Sequence, residues 1–229
     1  FTALDLSKLV MIMGMGGVIC TIGIFFNICL LFVFSRLRIR NTNLIYLVVL
    51  ACFDIGVEIC FILVFIGSLI WDYFGIYEIF VAWHNFVPPV SAFGQTVIAS
   101  SVYVIVAASL DRYMTSIGRK FKSKDRLLGI GFAIMIGCLT KVTFYWETDT
   151  VTNEKCEGSF GYKTLQRTNV TKSELYGQVY MFYTRNVVNV FLPFFLLVLF
   201  NLAAVQNLSK QRRPDVLMEK VSIDTSVLQ

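Results

Sequence analysis

The sequence predicts an all-α membrane protein, and three observations carry that class. Hydrophobic residues fill 56% of the 229 positions and charged residues only 15%, with a mean hydropathy of +0.69; ordinary globular domains carry about a quarter charged residues. Five apolar runs are each long enough for a hydrocarbon core that takes about 20 helical residues. The runs are continuous rather than alternating, and a backbone in lipid must satisfy its own hydrogen bonds, so helices follow rather than strands. A pair of soluble domains is excluded, because 21 Phe would need many more charges around them in water.

In order, the spans are 9–34, 44–70, 89–110, 127–146 and 180–205. Residues 1–8 form a stub before the first span, 147–179 a long connecting loop, and 206–229 a polar segment after the fifth. The stub is too short for a cleaved leader and the first span lacks a small-residue exit, so the first helix is expected to act as its own insertion signal.

The basic residues set the orientation. Arg36, Arg38 and Arg40 follow span one; Arg112, Arg119, Lys120, Lys122, Lys124 and Arg126 follow span three; Lys210, Arg212 and Arg213 follow span five. The connection between spans two and three holds Asp72 and Glu78 without Lys or Arg, so the positive-inside rule places the N-terminus outside the cell. The sequon Asn169-Val170-Thr171 then faces outward as a glycosylation acceptor, whereas Asn207-Leu208-Ser209 falls at the cytoplasmic end and is predicted to stay bare.

Ionisable groups within lipid are functional candidates by default. Asp54 lies 11 residues past Asn43, and Ser101 lies 11 residues before Arg112, so both sit about 16 Å from the inner face. Asn27 lies slightly nearer the cytoplasm. A carboxylate, a hydroxyl and an amide at similar depth suit a polar pocket for a hydrated cation or a hydrogen-bonded network, although Asn27 alone equally suits a plain helix–helix bond. Glu58, one turn outward of Asp54, is a candidate acceptor for a basic ligand group or for a neighbouring helix. Arg185 and Asn189 stand one turn apart on span five with Asn186 beside them. Arg185 suits an acidic ligand group, or snorkels to the interface. Lys141 is expected to snorkel, and His84, the only histidine, to lie in an aromatic outer loop.

Taken in order, Gly23-x-x-x-Asn27, Asn43-Leu44-x-x-Leu47-x-x-x-Ala51-x-x-Asp54, Ser101, Asp111-Arg112-Tyr113 and Pro193 resemble the rhodopsin-like, or class A, G-protein-coupled receptors. The resemblance implies a partial seven-transmembrane bundle with five helices present, the sixth and seventh belonging to a longer receptor or lost in a truncated product. It implies a sodium site at Asp54 and Ser101 with Asn27, and a switch at Asp111, Arg112 and Tyr113. In that switch Arg112, held against Asp111 at rest, is released toward a heterotrimeric G protein. A juxtamembrane salt bridge without a switching role is the plainer reading. A plasma-membrane location follows, with lipid, a G protein and an extracellular peptide or small-molecule ligand as partners, no nucleic acid, and no cofactor beyond a sodium ion.

Departures from the family pattern are informative. Val87 stands where the family usually has a Cys opening span three, so Cys156 lacks its usual partner, with Cys60 as a remote alternative. Span four lacks the common Trp, and Asn201 replaces a frequent Tyr. Gly94 occupies the place of the acid found in amine receptors, which argues against an amine ligand. The segment Pro88-Pro89-Val90-x-x-x-Gly94-Gln95-Thr96 is similar to invertebrate FMRFamide-type neuropeptide receptors and makes Gln95 a ligand-pocket candidate. The long outer loop also suits a peptide. A chemosensory receptor on the same scaffold is the alternative. A transporter would show paired broken helices in an inverted repeat, and an enzyme a nucleophile or metal cluster; neither pattern is present in the sequence.

Overall fold

The computed structural model describes residues 9–36 and 44–227. The stub 1–8, Arg38, Arg40 and Asn43, and the side chains of Arg212 and Arg213 lie outside the described part, so the expectations resting on them are not addressed. Five helices are long and apolar enough to cross a membrane: α1 (Val10–Ser35), α2 (Leu44–Phe74), α3 (Tyr77–Ser116), α4 (Ser123–Trp146) and α5 (Leu175–Gln211). A two-stranded antiparallel hairpin, β1 (Thr148–Thr152) and β2 (Lys163–Arg167), joins α4 to α5, with Thr150 opposite Leu165. The basic segments mark one end of the bundle and the hairpin marks the other.

Helix α3 starts twelve residues earlier than expected and continues through Pro88 and Pro89. The α2–α3 connection shrinks to Gly75 and Ile76, and Gly75 takes the left-handed conformation (φ 64°) that favours glycine at a helix end. Asp72 therefore sits on α2 and Glu78 in the first turn of α3, where a carboxylate complements the helix dipole. His84 is likewise not in a loop: it is buried on α3 among Trp71, Phe80 and Trp83. Proline in a helix removes the N–H owed to the carbonyl four residues back. For Pro88 that carbonyl is His84 O, and the Thr150 hydroxyl of β1 donates to it at 3.0 Å. The hairpin thus docks on an acceptor that the proline leaves open.

No disulfide joins the hairpin to the helices, since Cys156 and Cys60 are both free thiols. Aromatic packing replaces it. Phe160 at the hairpin tip stacks on Trp71 at 6.0 Å and meets Phe80 edge-on at 5.3 Å, while the Tyr77 hydroxyl accepts from Gly158 N at 3.2 Å. Lys163 also donates to Asn85. The long loop of the sequence reading is therefore ordered as a hairpin plus a single helical turn, Asn169–Lys172, and α5 begins at Leu175 rather than near Tyr180.

The core gathers Tyr46, Tyr103, Val104, Ile130 and Ala133 from α2, α3 and α4. Helices α3 and α4 approach so closely that a Cβ on Gly137 would lie 2.7 Å from Ser100 N and 2.8 Å from its Cα. In α5 the turn Val187–Phe191 is wound in the wide π manner just before the buried Pro193. A π turn pairs residues five apart, and Pro193 cannot donate to Val188 O. The Tyr103 hydroxyl does so instead, at 2.5 Å, which ties α3 to α5.

Candidate functional site

At the basic end, Asp111 is fully buried, and its Oδ2 accepts from Arg126 Nε at 2.9 Å. Its partner is not Arg112. Arg126 enters from the first turns of α4 with a side chain only 8% exposed, and Tyr46 of α2 lies within electrostatic reach of both charges. A cation near a helix N-terminus opposes the dipole, and the buried carboxylate offsets that cost. Asp111 and Arg112 are successive helical residues about 100° apart around the axis, so they cannot face each other. The expected resting pair is thereby corrected: Arg112 is exposed and lines a cleft of about 270 Å³ with Tyr46, Leu47, Leu50, Ile105 and Ser109. Tyr113 stacks on Phe200 of α5 at 6.2 Å, and Gln211 Nε2 donates to Ser116 O at 2.9 Å, which clips the end of α5 to the end of α3.

In the middle of the bundle, among the described residues, no hydrogen bond or ion pair links Asp54, Ser101 and Asn27. Asn27 of α1 faces Glu58 of α2 closely enough to bear on its charge, and a Cβ on Gly23 would clash with that same carboxylate. Gly23 and Asn27 thus form the seat on α1 for Glu58. Ser101 donates to Ile98 O of its own helix at 2.8 Å. Asp54 is exposed, with the Glu58 charge as its electrostatic neighbour. Among the described residues no group of three or more His, Cys, Asp or Glu could hold a metal ion.

Toward the hairpin end, α3, α4 and α5 share a polar network. Arg185 Nη1 pairs with Glu147 Oε1 at 2.5 Å, with side chains 15% and 5% exposed, and the guanidinium lies 5.8 Å from the Phe144 ring centre. The Tyr176 hydroxyl donates to the same Glu147 oxygen at 3.1 Å. Asn189 donates to Arg185 O at 3.0 Å, while its own Oδ1 is buried without a partner. Lys141 Nζ crosses from α4 to donate to Gln95 Oε1 of α3 at 3.2 Å, so it does not snorkel to the interface as expected. Asn186 points elsewhere: it is exposed in a separate apolar surface groove with Phe182, Tyr183 and Phe191. Gln95 and Phe144 also line a mostly apolar cleft of about 290 Å³ together with Val57, Cys60, Phe61 and Val64.

Three residues that organise these sites are not given these roles by the sequence. Arg126 was counted among juxtamembrane charges, Lys141 was assigned to the interface, and Glu147 fell in a loop. Nothing in the sequence separates Arg126 from the neighbouring basic residues; the Ser123 start of α4 is what places it on the helix. Asn169, the expected glycan acceptor, is exposed at the start of the short turn, where its Oδ1 accepts from Lys172 at 3.2 Å.

No protein-family model and no curated protein matches the sequence. Among solved structures, the chain is similar to squid rhodopsin, with a TM-score of 0.64 at 15% identity over 94% of this chain and 60% of that one. The chain thus spans about 60% of the length of the receptor it matches. At that identity the likeness speaks to architecture: the protein is an all-α, membrane-spanning bundle with the rhodopsin fold.

Proposed function

We propose that this chain is part of a G-protein-coupled receptor, not an enzyme, that passes ligand binding at its hairpin end to a heterotrimeric G protein at its basic end. The observation that carries the reading is the state of Arg112. With Asp111 engaged by Arg126, the Arg112 guanidinium is left as a donor fork over an open cleft, suited to the backbone carbonyls at the end of an inserted helix. Tyr113 and Gln211 link that end of α3 to α5. A shift of α5 driven from Arg185 and Asn189 therefore has a mechanical route to Arg112. In this reading the N-terminus is extracellular, the membrane is the plasma membrane, and Asn169 carries a glycan.

A peptide is the favoured ligand, supported by the Pro88 to Thr96 segment and by the ordered hairpin beside the α3–α4 network. A small chemosensory ligand is the second reading, favoured by the modest volume of the apolar cleft. The test is G-protein nucleotide exchange in membranes that express the protein, with a library of short amidated peptides as input. Peptide-stimulated exchange that is lost in Arg112→Ala, with surface expression intact, supports the proposal. Exchange that is unaffected by Arg112→Ala refutes the switch.

A further inference from the structure

Lys141 holds a charge that its surroundings leave without a counter-ion. Its amine has one hydrogen-bond acceptor, the neutral Gln95 Oε1, and its electrostatic neighbours are Arg185 and Glu147. Glu147 is already committed, because its Oε1 takes both Arg185 and the Tyr176 hydroxyl. Two cations therefore share one carboxylate, and among the described residues no carboxylate forms an ion pair with Lys141.

A bare ammonium at this depth is costly, and water is near. Lys141 is only part-buried near the outer end of α4, so its stem can carry the amine outward toward water. The side chain nevertheless turns inward to α3. Gln95 and Phe144, the latter one turn beyond Lys141, open onto the apolar cleft that also contacts Ser91 and Gly94. The buried, unpartnered Oδ1 of Asn189 lies one turn from Arg185 and adds an acceptor for a ligand N–H or O–H.

We propose that Lys141, aimed by Gln95 and backed by Arg185, binds the carboxylate of an acidic ligand whose apolar body occupies the cleft between α2 and α3. The inference rests on the receptor reading only in requiring that the hairpin end bind a ligand; it adds that the ligand is an anion, either a free organic acid or the acidic end of a peptide.

The experiment uses the purified chain in lipid nanodiscs and reads two quantities: acetylation of Lys141 by mass spectrometry, and the thermal unfolding midpoint. The probes are 3-phenylpropanoate and the N-acetylated dipeptide Gly-Phe, each compared with its uncharged amide. At least one acid should slow Lys141 acetylation roughly fivefold or more and raise the midpoint by about 2 to 4 °C, while its amide does neither. Protection by phenylpropanoate points to a free acid, and protection by the dipeptide alone to a peptide terminus. Lys141→Arg should keep the midpoint shift and Lys141→Met should lose it. Lys141→Met should also raise the ligand-free midpoint by about 2 to 4 °C, because an uncompensated cation has been removed. Equal effects of acid and amide, no effect of either acid, a shift that survives in Lys141→Met, or a ligand-free midpoint lowered by that variant would each overturn the proposal, the last by marking Lys141 as a structural tie to Gln95. None of these outcomes depends on Arg112, so failure here leaves the nucleotide-exchange test standing.

Discussion

Removing Arg126 should harm this protein more than removing the carboxylate it holds, and removing both should harm it less than either alone. The pair is 2.9 Å apart, with side chains 8% and 0% exposed. At an effective dielectric of 20, the gross attraction at that distance is about 6 kcal/mol, most of it cancelled by the cost of taking both charges out of water. What can be measured is the cost of breaking the pair. Arg126→Met strands the fully buried Asp111, whose Oδ1 already lacks a partner, and should cost about 3 to 5 kcal/mol. For a chain of this length that is a fall of roughly 6 to 20 °C in the unfolding midpoint.

Asp111→Asn should cost less. Arg126 sits at the basic end, where its long side chain can find water or headgroups. The double variant, with no charge left to strand, should return to within about 2 kcal/mol of the wild type. The assay is thermal unfolding of the four proteins in nanodiscs, read as a double-mutant cycle. Additive single effects, or an Arg126→Met cost below about 1 kcal/mol, would refute the claim that Asp111 depends on Arg126.

Three further outcomes follow from the packing. Tyr103→Phe deletes the donor to Val188 O in the wide turn of α5 and should cost about 1 to 3 kcal/mol, because the acceptor stays buried; hydrogen exchange should rise at 187–192 before it rises elsewhere. Phe160→Ala removes ring contacts worth about 0.5 to 1.5 kcal/mol each from a side chain that is 47% exposed, so limited proteolysis should cut the hairpin faster with little change in the midpoint. In cells, endoglycosidase treatment should shift the wild-type protein and leave Asn169→Gln unchanged; a shift that survives in Asn169→Gln would indict the orientation, since Asn207 lies at the opposite end.

The misplaced start of α3 shows where sequence reasoning ran out. Pro88 and Pro89 read as a helix boundary because each lacks an N–H, and a lone helix would indeed lose a bond there. In the folded chain the vacated His84 carbonyl is served by Thr150, sixty-six residues away, so the cost is met by tertiary contact and the helix runs on. His84 moved from loop to helix for the same reason. The Asp111–Arg112 pair is a different kind of miss, since helical geometry alone forbids adjacent residues from facing each other. Asn27 was legible as a helix–helix contact but its partner was not, because Asp54 and Glu58 sit one turn apart on α2 and only the approach of α1 over Gly23 selects Glu58.

Hydropathy and charge by themselves determined that this protein is helical, carries five helices long and apolar enough to cross a membrane, and sets basic clusters after its first, third and fifth spans. Those properties are set by transfer free energies, which sum residue by residue along the chain and need no neighbour. The tertiary structure alone decided which charge meets which: Asp111 with Arg126, Glu147 with Arg185, Lys141 with Gln95. Pairing in a low-dielectric interior depends on helix rotation and approach at the scale of a single ångström, and that information is shared among segments far apart in sequence.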